Sequence, residues 1–392
     1  MKFSALQPYV KEARSFNVDW DCTRYILDRR TKDDLEDMVK SLAASGMMLA
    51  QRHTVGENRF ATLRGDDGDI VISYFNYNHK IYIITDEMTG RARPALSPSD
   101  NYERLTTPKL MMHALDYTCV PGRESGMGFV MTLSDGSFLI YDGGYHEDGL
   151  PLLEYLEANN VRNEKPRVAA WILTHAHGDH FQAAVEIGNK YADRLTVEEF
   201  LINPRISRYE YEGYGDIMLN ETFPNEILPK YKGATLIKPH TGQLIHYRDA
   251  AVEILHTQEE ILPNRFRWMN EISVMSRVYL GGQKILFPAD GELGVDVTFP
   301  LMYGDALESD FIQSPHHGFS GGSYEFYDLV NAGVALFTCN SEQFAKYSQP
   351  KWLGGVIAHM VEVADETYCS GDGEKVFELP YTPTPKSRGE AQ

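Results

Sequence analysis

Four potential metal ligands stand within six residues at His175-Ala176-His177-Gly178-Asp179-His180, and no other stretch constrains the fold of this chain so tightly. The run before them, Val168-Ala169-Ala170-Trp171-Ile172-Leu173, reads as a buried strand, which Thr174 breaks. Three imidazoles and a carboxylate packed this closely are costly to bury unless paired or ligated. A strand that ends in such a cluster points to a metal site rather than to a surface group of histidines.

The bulk numbers set the class. A chain of 392 residues, 43% hydrophobic and 24% charged, has the composition of a soluble globular protein with room for two or three domains. Its apolar runs reach about six residues, far short of a membrane span. The start, Met1-Lys2-Phe3-Ser4-Ala5-Leu6-Gln7-Pro8, lacks a secretory apolar core and cleavage pattern. Cys22, Cys119, Cys339 and Cys369 are scattered and form no CxxC pair, so a disulfide framework is not expected. Together these features predict a cytoplasmic protein with no membrane partner. The net charge of −19 opposes non-specific binding to nucleic acid, which needs a basic surface. It leaves phosphate-bearing substrates open, because metal ions supply local positive charge.

Residues 1–105 read as a small α+β accessory domain. Lys32 to Leu42 has helical spacing with an acidic first turn, and Gly46 is placed to end it. Strand patterns over 59–64, 69–76 and 79–85, with turns at Asp66-Asp67-Gly68 and Asn78-His79, predict a meander. No catalytic motif lies here. A packing, gating or dimerisation role fits, the last through a homo-oligomer formed by this domain. Pro94, Pro98 and Pro108 mark 91–110 as a linker. Residues 106–381 form the second domain, and 382–392 read as a disordered tail. Strands are predicted at 126–133 and 137–141 around an Asp135-Gly136 turn, then at 168–173. A later half repeats the pattern at 251–256, 271–280, 284–288, 311–313 and 334–338, with a helix near 148–159 in the first half.

The motif HxHxDH after a strand resembles the signature of the metallo-β-lactamase superfamily. The resemblance implies an αββα sandwich of class α+β, carrying one or two divalent metal ions, zinc or manganese. It implies that His175 and His177 bind one metal while Asp179 and His180 bind the other. Asp142, in Tyr141-Asp142-Gly143-Gly144, matches the family's strand-end aspartate that orients the ligand loop. Asp290, after Lys284-Ile285-Leu286-Phe287-Pro288-Ala289, matches the bridging carboxylate. Ser314-Pro315-His316-His317-Gly318 supplies the last histidine. Neighbours in extended chain point opposite ways, so His317 is taken as ligand and His316 as proton donor or phosphate contact. Many relatives carry a third histidine about twenty residues before the bridging Asp. Here Asn270 stands there, a weaker and harder ligand.

That substitution, with Pro-His-His-Gly and the closing segments Thr338-Cys339-Asn340-Ser341, Tyr347-Ser348-Gln349-Pro350 and Tyr368-Cys369-Ser370-Gly371-Asp372-Gly373, resembles the hydrolase domain of ComEC-type competence proteins. Gln349 departs from the group, where His is common. The resemblance spans roughly residues 112–380. It implies a hydrolase in which a metal-bound hydroxide, oriented by Asp179 and Asp290, attacks a phosphodiester or related small phosphoester while His316 assists the leaving group. Two alternatives stay open: hydrolysis of a carbon-centred ester, lactone or thioester, and a non-catalytic metal-binding or sensor protein. A di-iron oxygen reductase usually needs a Glu within the first motif, where Ala176 or Gly178 stands. Tyr145-His146 could line the cleft, and the aromatic stretch Tyr209 to Tyr214 could cover it. Gln258-Glu259-Glu260 reads as solvated.

Overall fold

The computed structural model describes residues 3–19, 21–115, 122–204, 213–261, 268–292 and 294–386. In the N-terminal part, Thr31 starts a helix over Lys32–Ala44. Its side chain accepts from the Asp34 amide while Asp34 accepts from the Thr31 amide, satisfying two donors that a helix start leaves over. Gly46, at φ 104°, ends it in a conformation that costs glycine nothing. Leu35, Met38, Val39 and Leu42 recur at helical spacing and bury one stripe against a sheet. That sheet holds β1 (Arg14–Asn17), β2 (Cys22–Leu27), β3 (Met48–Val55), β4 (Asn58–Gly65), β5 (Gly68–Phe75) and β6 (Lys80–Asp86), in the order β1-β2-β6-β5-β4-β3. All its pairs are antiparallel, as the meander pattern predicts.

A second sheet contains β7 (Lys109–Met112), β8 (Gly128–Thr132), β9 (Phe138–Asp142), β10 (Arg167–Ile172), β11 (Thr196–Leu201) and β12 (Thr235–Ile237). A third contains β13 (Leu244–Tyr247), β14 (Ala250–His256), β15 (Met275–Leu280), β16 (Gln283–Phe287), β17 (Phe311–Gln313), β18 (Val334–Phe337) and β19 (Glu366–Cys369), in sequence order. The last strand, β20 (Lys375–Glu378), returns to pair with β7 at the edge of the second sheet. Alternation along each strand sends one set of side chains between the sheets. Phe129, Leu139, Tyr141 and Ile172 from one side meet Val252, Val278, Ile285, Phe287 and Leu336 from the other. Tyr141 stacks on Phe287 with ring centroids 4.1 Å apart, and its hydroxyl lies 2.6 Å from Ser276 Oγ, so the buried phenol keeps a polar partner. The outward set, including Ile140 and Trp171, packs under the helices Gly149–Ala158 and Gly178–Lys190. Leu286, Ile312 and Phe337 pack under Phe299–Tyr303, Tyr324–Val330 and Val356–Val363. The result is the four-layer αββα sandwich of class α+β.

Strands β9 to β12 and β16 to β19 run parallel within their sheets, so their carboxyl ends share an edge. Loops at carboxyl ends of parallel strands are where such folds place their chemistry. Asp142, the HxHxDH loop, Asp290, the His316-His317 pair and Thr338 all stand at such ends.

The N-terminal sheet docks on the sandwich through buried polar groups. The Gln51 amide donates to the carbonyls of Leu96 (2.9 Å) and Leu244 (2.7 Å), and His53 Nε2 lies 2.5 Å from Glu253 Oε1. Deeper in, the His240 ring spans Asp86 (2.9 Å) and Glu259 (2.8 Å), and Arg91 reaches both Asp21 and Asp86 at 2.7 Å. Lys238 pairs with Asp19. The Gln258-Glu259-Glu260 segment, read from sequence as solvated, is therefore a correction. Gln258 and Glu259 are fully buried, and Glu260 pairs with Arg24 at 3.0 Å. An acidic run gives no sign of the cations that fold against it from another domain.

Residues 91–108 form no strand, as three prolines dictate, yet Leu96 is buried in the core and the Ala92 amide donates to Leu236. The strand expected from 271 begins only at Met275, because Met269–Ile272 is a short 3-10 turn closed by the Ser273 amide on Asn270. Residues 382–386, within the stretch read as a disordered tail, are held at the sheet edge: the Thr384 amide donates to Glu366 at 2.9 Å. Residues 387–392 lie outside the described residues. Cys22, Cys339 and Cys369 are buried free thiols, and Cys119 lies outside the described residues. Among the described residues no helix is long and apolar enough to cross a membrane.

Candidate metal centre

Strand β9 ends with Asp142 at φ 53°, a left-handed backbone that aspartate tolerates better than most residues. The carboxylate faces the neighbouring strand end. Oδ1 accepts from the Thr174 amide (2.8 Å), and Oδ2 accepts from the Thr174 hydroxyl (2.7 Å) and faces His180 Nδ1 (2.8 Å). Asp142 thus fixes both ends of the ligand loop. A hydrogen-bonded Nδ1 leaves Nε2 as the coordinating atom of His180.

The loop turns into a helix at Gly178, with His177 as N-cap and Asp179 in the first turn. His175 Nε2 lies 2.9 Å from His177 Nδ1. Beneath them Asp290 arrives from β16 after Ala289, another residue at positive φ (51°). Its Oδ2 lies 3.3 Å from His180 Nε2, 3.4 Å from His317 Nε2, and 3.8 Å from both His175 Nε2 and His316 Nε2. Asp179 Oδ2 lies 3.2 Å from His317 Nε2 and 3.9 Å from His180 Nε2. Two groups result, His175/His177/Asp290 and Asp179/His180/His317, each with ligand atoms within 4.8 Å of one another.

The Pro315–Gly318 segment departs from the extended chain assumed for the histidine pair. His316 (φ 44°) and His317 (φ 59°) are both left-handed, so the pair forms a tight turn and both rings approach Asp290. Three non-glycine strand ends with positive φ around one cluster is backbone strain gathered at a functional site. The two rings differ in their second contact. His317 Nδ1 lies 2.8 Å from the Thr338 hydroxyl at the end of β18, which leaves Nε2 facing the cluster. His316 Nδ1 lies 2.9 Å from Glu292 Oε1 and 2.8 Å from Ser320 Oγ. Asn270, placed on its 3-10 turn, has Nδ2 3.4 Å from both Glu292 Oε1 and His316 Nε2.

A cation fits this set. Nε2 of His180, Nε2 of His317, Oδ1 of Asp290 and Oδ1 of Asn270 are buried and make no hydrogen bond, a cost that coordination removes. The mix of imidazole nitrogen and carboxylate oxygen suits zinc, manganese or iron. Electrostatics agree. Burial disfavours the charged form of Asp290, but the His180, His317 and His316 charges outweigh it and hold the carboxyl well below its usual range. Burial and the neighbouring His180 charge drive His175 well below the usual imidazole pKa, leaving a neutral nitrogen donor.

Sequence reasoning missed Glu292, Ser320 and Thr338. Only their nearness in sequence to Asp290, His317 and the β18 end could have flagged them. His146 faces Glu186 (3.9 Å) rather than the cluster. Tyr145 sits under the Arg123 guanidinium, 4.6 Å from its ring centroid, and its amide donates to Asp148 at 2.8 Å. Residues 209–212 of the aromatic stretch lie outside the described residues, and Tyr214 is exposed.

No curated protein matches the chain in sequence. Solved structures resemble it at low identity. The metallo-beta-lactamase fold protein YhfI from Bacillus subtilis is 15% identical over 69% of this chain and 99% of its own, with a TM-score of 0.41. CmlA, a diiron beta-hydroxylase from Streptomyces venezuelae, is 14% identical over 71% of this chain and 55% of its own (TM-score 0.40). Zinc-bound PqqB from Methylobacterium extorquens is 10% identical over 52% and 71% (TM-score 0.36). A family model matches residues 122–339, a span that encloses every residue of the cluster, and the chain belongs to the metallo-beta-lactamase superfamily.

Proposed function

We propose that the protein is a metal-dependent hydrolase of small phosphodiesters. The observation that carries this reading is Asp290, whose single Oδ2 stands within 3.8 Å of His175, of His180 and His317 from the other group, and of His316, a place from which it could serve two cations. His175 and His177 would hold one ion and Asp179, His180 and His317 the other, with Asn270 Oδ1 as a weak additional oxygen. Bound zinc or manganese would polarise the phosphoryl oxygens and acidify a water at neutral pH.

The chain's own residues supply the rest. Asp179 and Asp290 are the acceptors available to orient an attacking water. The Glu292 carboxylate beside His316 Nδ1 favours a proton there, so Nε2 is the atom that exchanges protons with a leaving oxygen. The phosphoester preference is supported by Asn270 in place of a third imidazole, by the Pro-His-His-Gly turn and by the ComEC-like pattern around them. The acidic surface favours a small substrate over long nucleic acid.

The test is bis(p-nitrophenyl) phosphate hydrolysis by metal-stripped protein refilled separately with zinc and manganese, beside His177→Ala. Turnover that requires metal and vanishes in the variant supports the reading. Stoichiometric metal binding with no turnover overturns it in favour of carbon-centred esters or a binding role.

A further inference from the structure

Three exposed aromatic side chains are linked to the cluster by contact or by the chain. Phe319 is 45% exposed, Trp268 50% and Tyr214 70%. Each is tied to the cluster by a short step. Phe319 follows the His316-His317-Gly318 turn, and its ring meets the His316 imidazole edge-on with centroids 5.2 Å apart. Trp268 lies two residues ahead of Asn270. Tyr214 precedes Gly215, whose backbone passes so close to the HxHxDH loop that a Cβ there would stand 2.0 Å from the Ala176 carbonyl oxygen. Within the cluster, His177, Asp179 and His316 are the partly exposed members, so solvent reaches it past these residues.

The Phe319 ring is braced. Tyr347 and Trp352 stand edge-on to it at 5.7 and 5.8 Å, and the Trp352 indole donates to the Phe319 carbonyl at 3.0 Å. Lys346 places its ammonium 4.9 Å over the Trp352 ring. A ring braced by Tyr347 and Trp352, 45% exposed and one residue from the His316-His317-Gly318 turn, suits a planar partner. A flexible acyl chain would instead call for a groove of aliphatic side chains.

We infer that Phe319 recognises a nucleobase carried beside the scissile phosphate, so that the substrate is a nucleotide-sized phosphodiester with its base on this ring. The inference rests on the phosphodiesterase reading for the site beneath it. Stacking of a base on an aromatic side chain accepts any base, because every base has a π-face.

Binding tests it without turnover. Calorimetric titration of manganese-loaded protein with thymidine 5′-monophosphate and with methyl phosphate should show the nucleotide binding about 5- to 50-fold more tightly. Phe319→Ala should bring that ratio towards one, and Phe319→Tyr should keep it. Equal affinities in the unaltered protein, or a ratio unmoved by Phe319→Ala, overturn the inference. In turnover, the ratio of kcat/KM for thymidine 5′-p-nitrophenyl phosphate over ethyl p-nitrophenyl phosphate should fall about 5- to 50-fold in Phe319→Ala. Neither ester cleaved while the nucleotide preference persists would sink the phosphodiesterase reading and leave base recognition by Phe319. Both cleaved with an unmoved ratio would sink base recognition alone.

Discussion

Asp142 Oδ2 lies 2.8 Å from His180 Nδ1, and the same carboxylate holds the Thr174 amide and hydroxyl, so one buried aspartate sets the start of the ligand loop and the ring of its last histidine. Removing it leaves the ligands present but unaligned. Asp142→Ala should weaken metal affinity about 10- to 100-fold, with a smaller loss in Asp142→Asn, measured by competition with a chelator. Unchanged affinity in Asp142→Ala would remove Asp142 from the metal centre.

The contrast between His316 and His317 gives a second expectation. His317 is 2% exposed and faces Asp179 and Asp290, while His316 turns its other nitrogen to Glu292. His317→Ala should lose bound metal, measured by elemental analysis after gel filtration. His316→Gln should keep the metal and lose kcat by about 100-fold or more. Metal retained in full by His317→Ala, or lost equally in both, would contradict the division of roles.

Much of this centre was legible in the sequence because it is local. The HxHxDH loop stands out by itself, while Asp142 and Asp290 were singled out by the family resemblance; each follows an apolar strand, and parallel strands bring those ends to one edge. The pairing of His316 with Glu292 was not legible, since it depends on a left-handed turn at two non-glycine residues that no propensity favours. The second layer under the N-terminal sheet escaped for a different reason. Glu259 reads as a surface acid until Lys238 and His240 arrive to neutralise it. Local pattern fixes strands and turns, whereas buried charge depends on what docks.

Gly215 predicts a steric lesion at the ligand loop. Because the clash is with backbone, the Ala176 carbonyl, no side-chain rotation relieves it. Gly215→Ala should lower metal affinity and the melting temperature together, at a cost of about 1–3 kcal/mol. Gly213→Ala, where a Cβ meets nothing within 4 Å, should leave both unchanged. Equal behaviour of the two variants would show that the approach to Ala176 is not a constraint.

His240 couples pH to the attachment of the N-terminal sheet. Burial opposes its charge, but Glu259 and Asp86, bonded to its two ring nitrogens, raise its pKa to about 9. A raised histidine contributes its full stability below its ordinary pKa of 6.5, and that contribution fades as pH climbs through 9. The shift corresponds to at most about 3 kcal/mol. Asp86 and Glu259 behave oppositely. Their pKa values are held below the usual carboxylate range against burial, chiefly by His240, so their stabilisation holds above about pH 4 and fades on acidification. Lys238 and Arg91 stay charged throughout and leave the window to His240. The metal-loaded protein should therefore lose thermal stability between pH 6.5 and 9, and His240→Gln should flatten that decline while lowering stability at pH 6. A decline of the same slope in the variant would place the pH sensitivity elsewhere in the molecule.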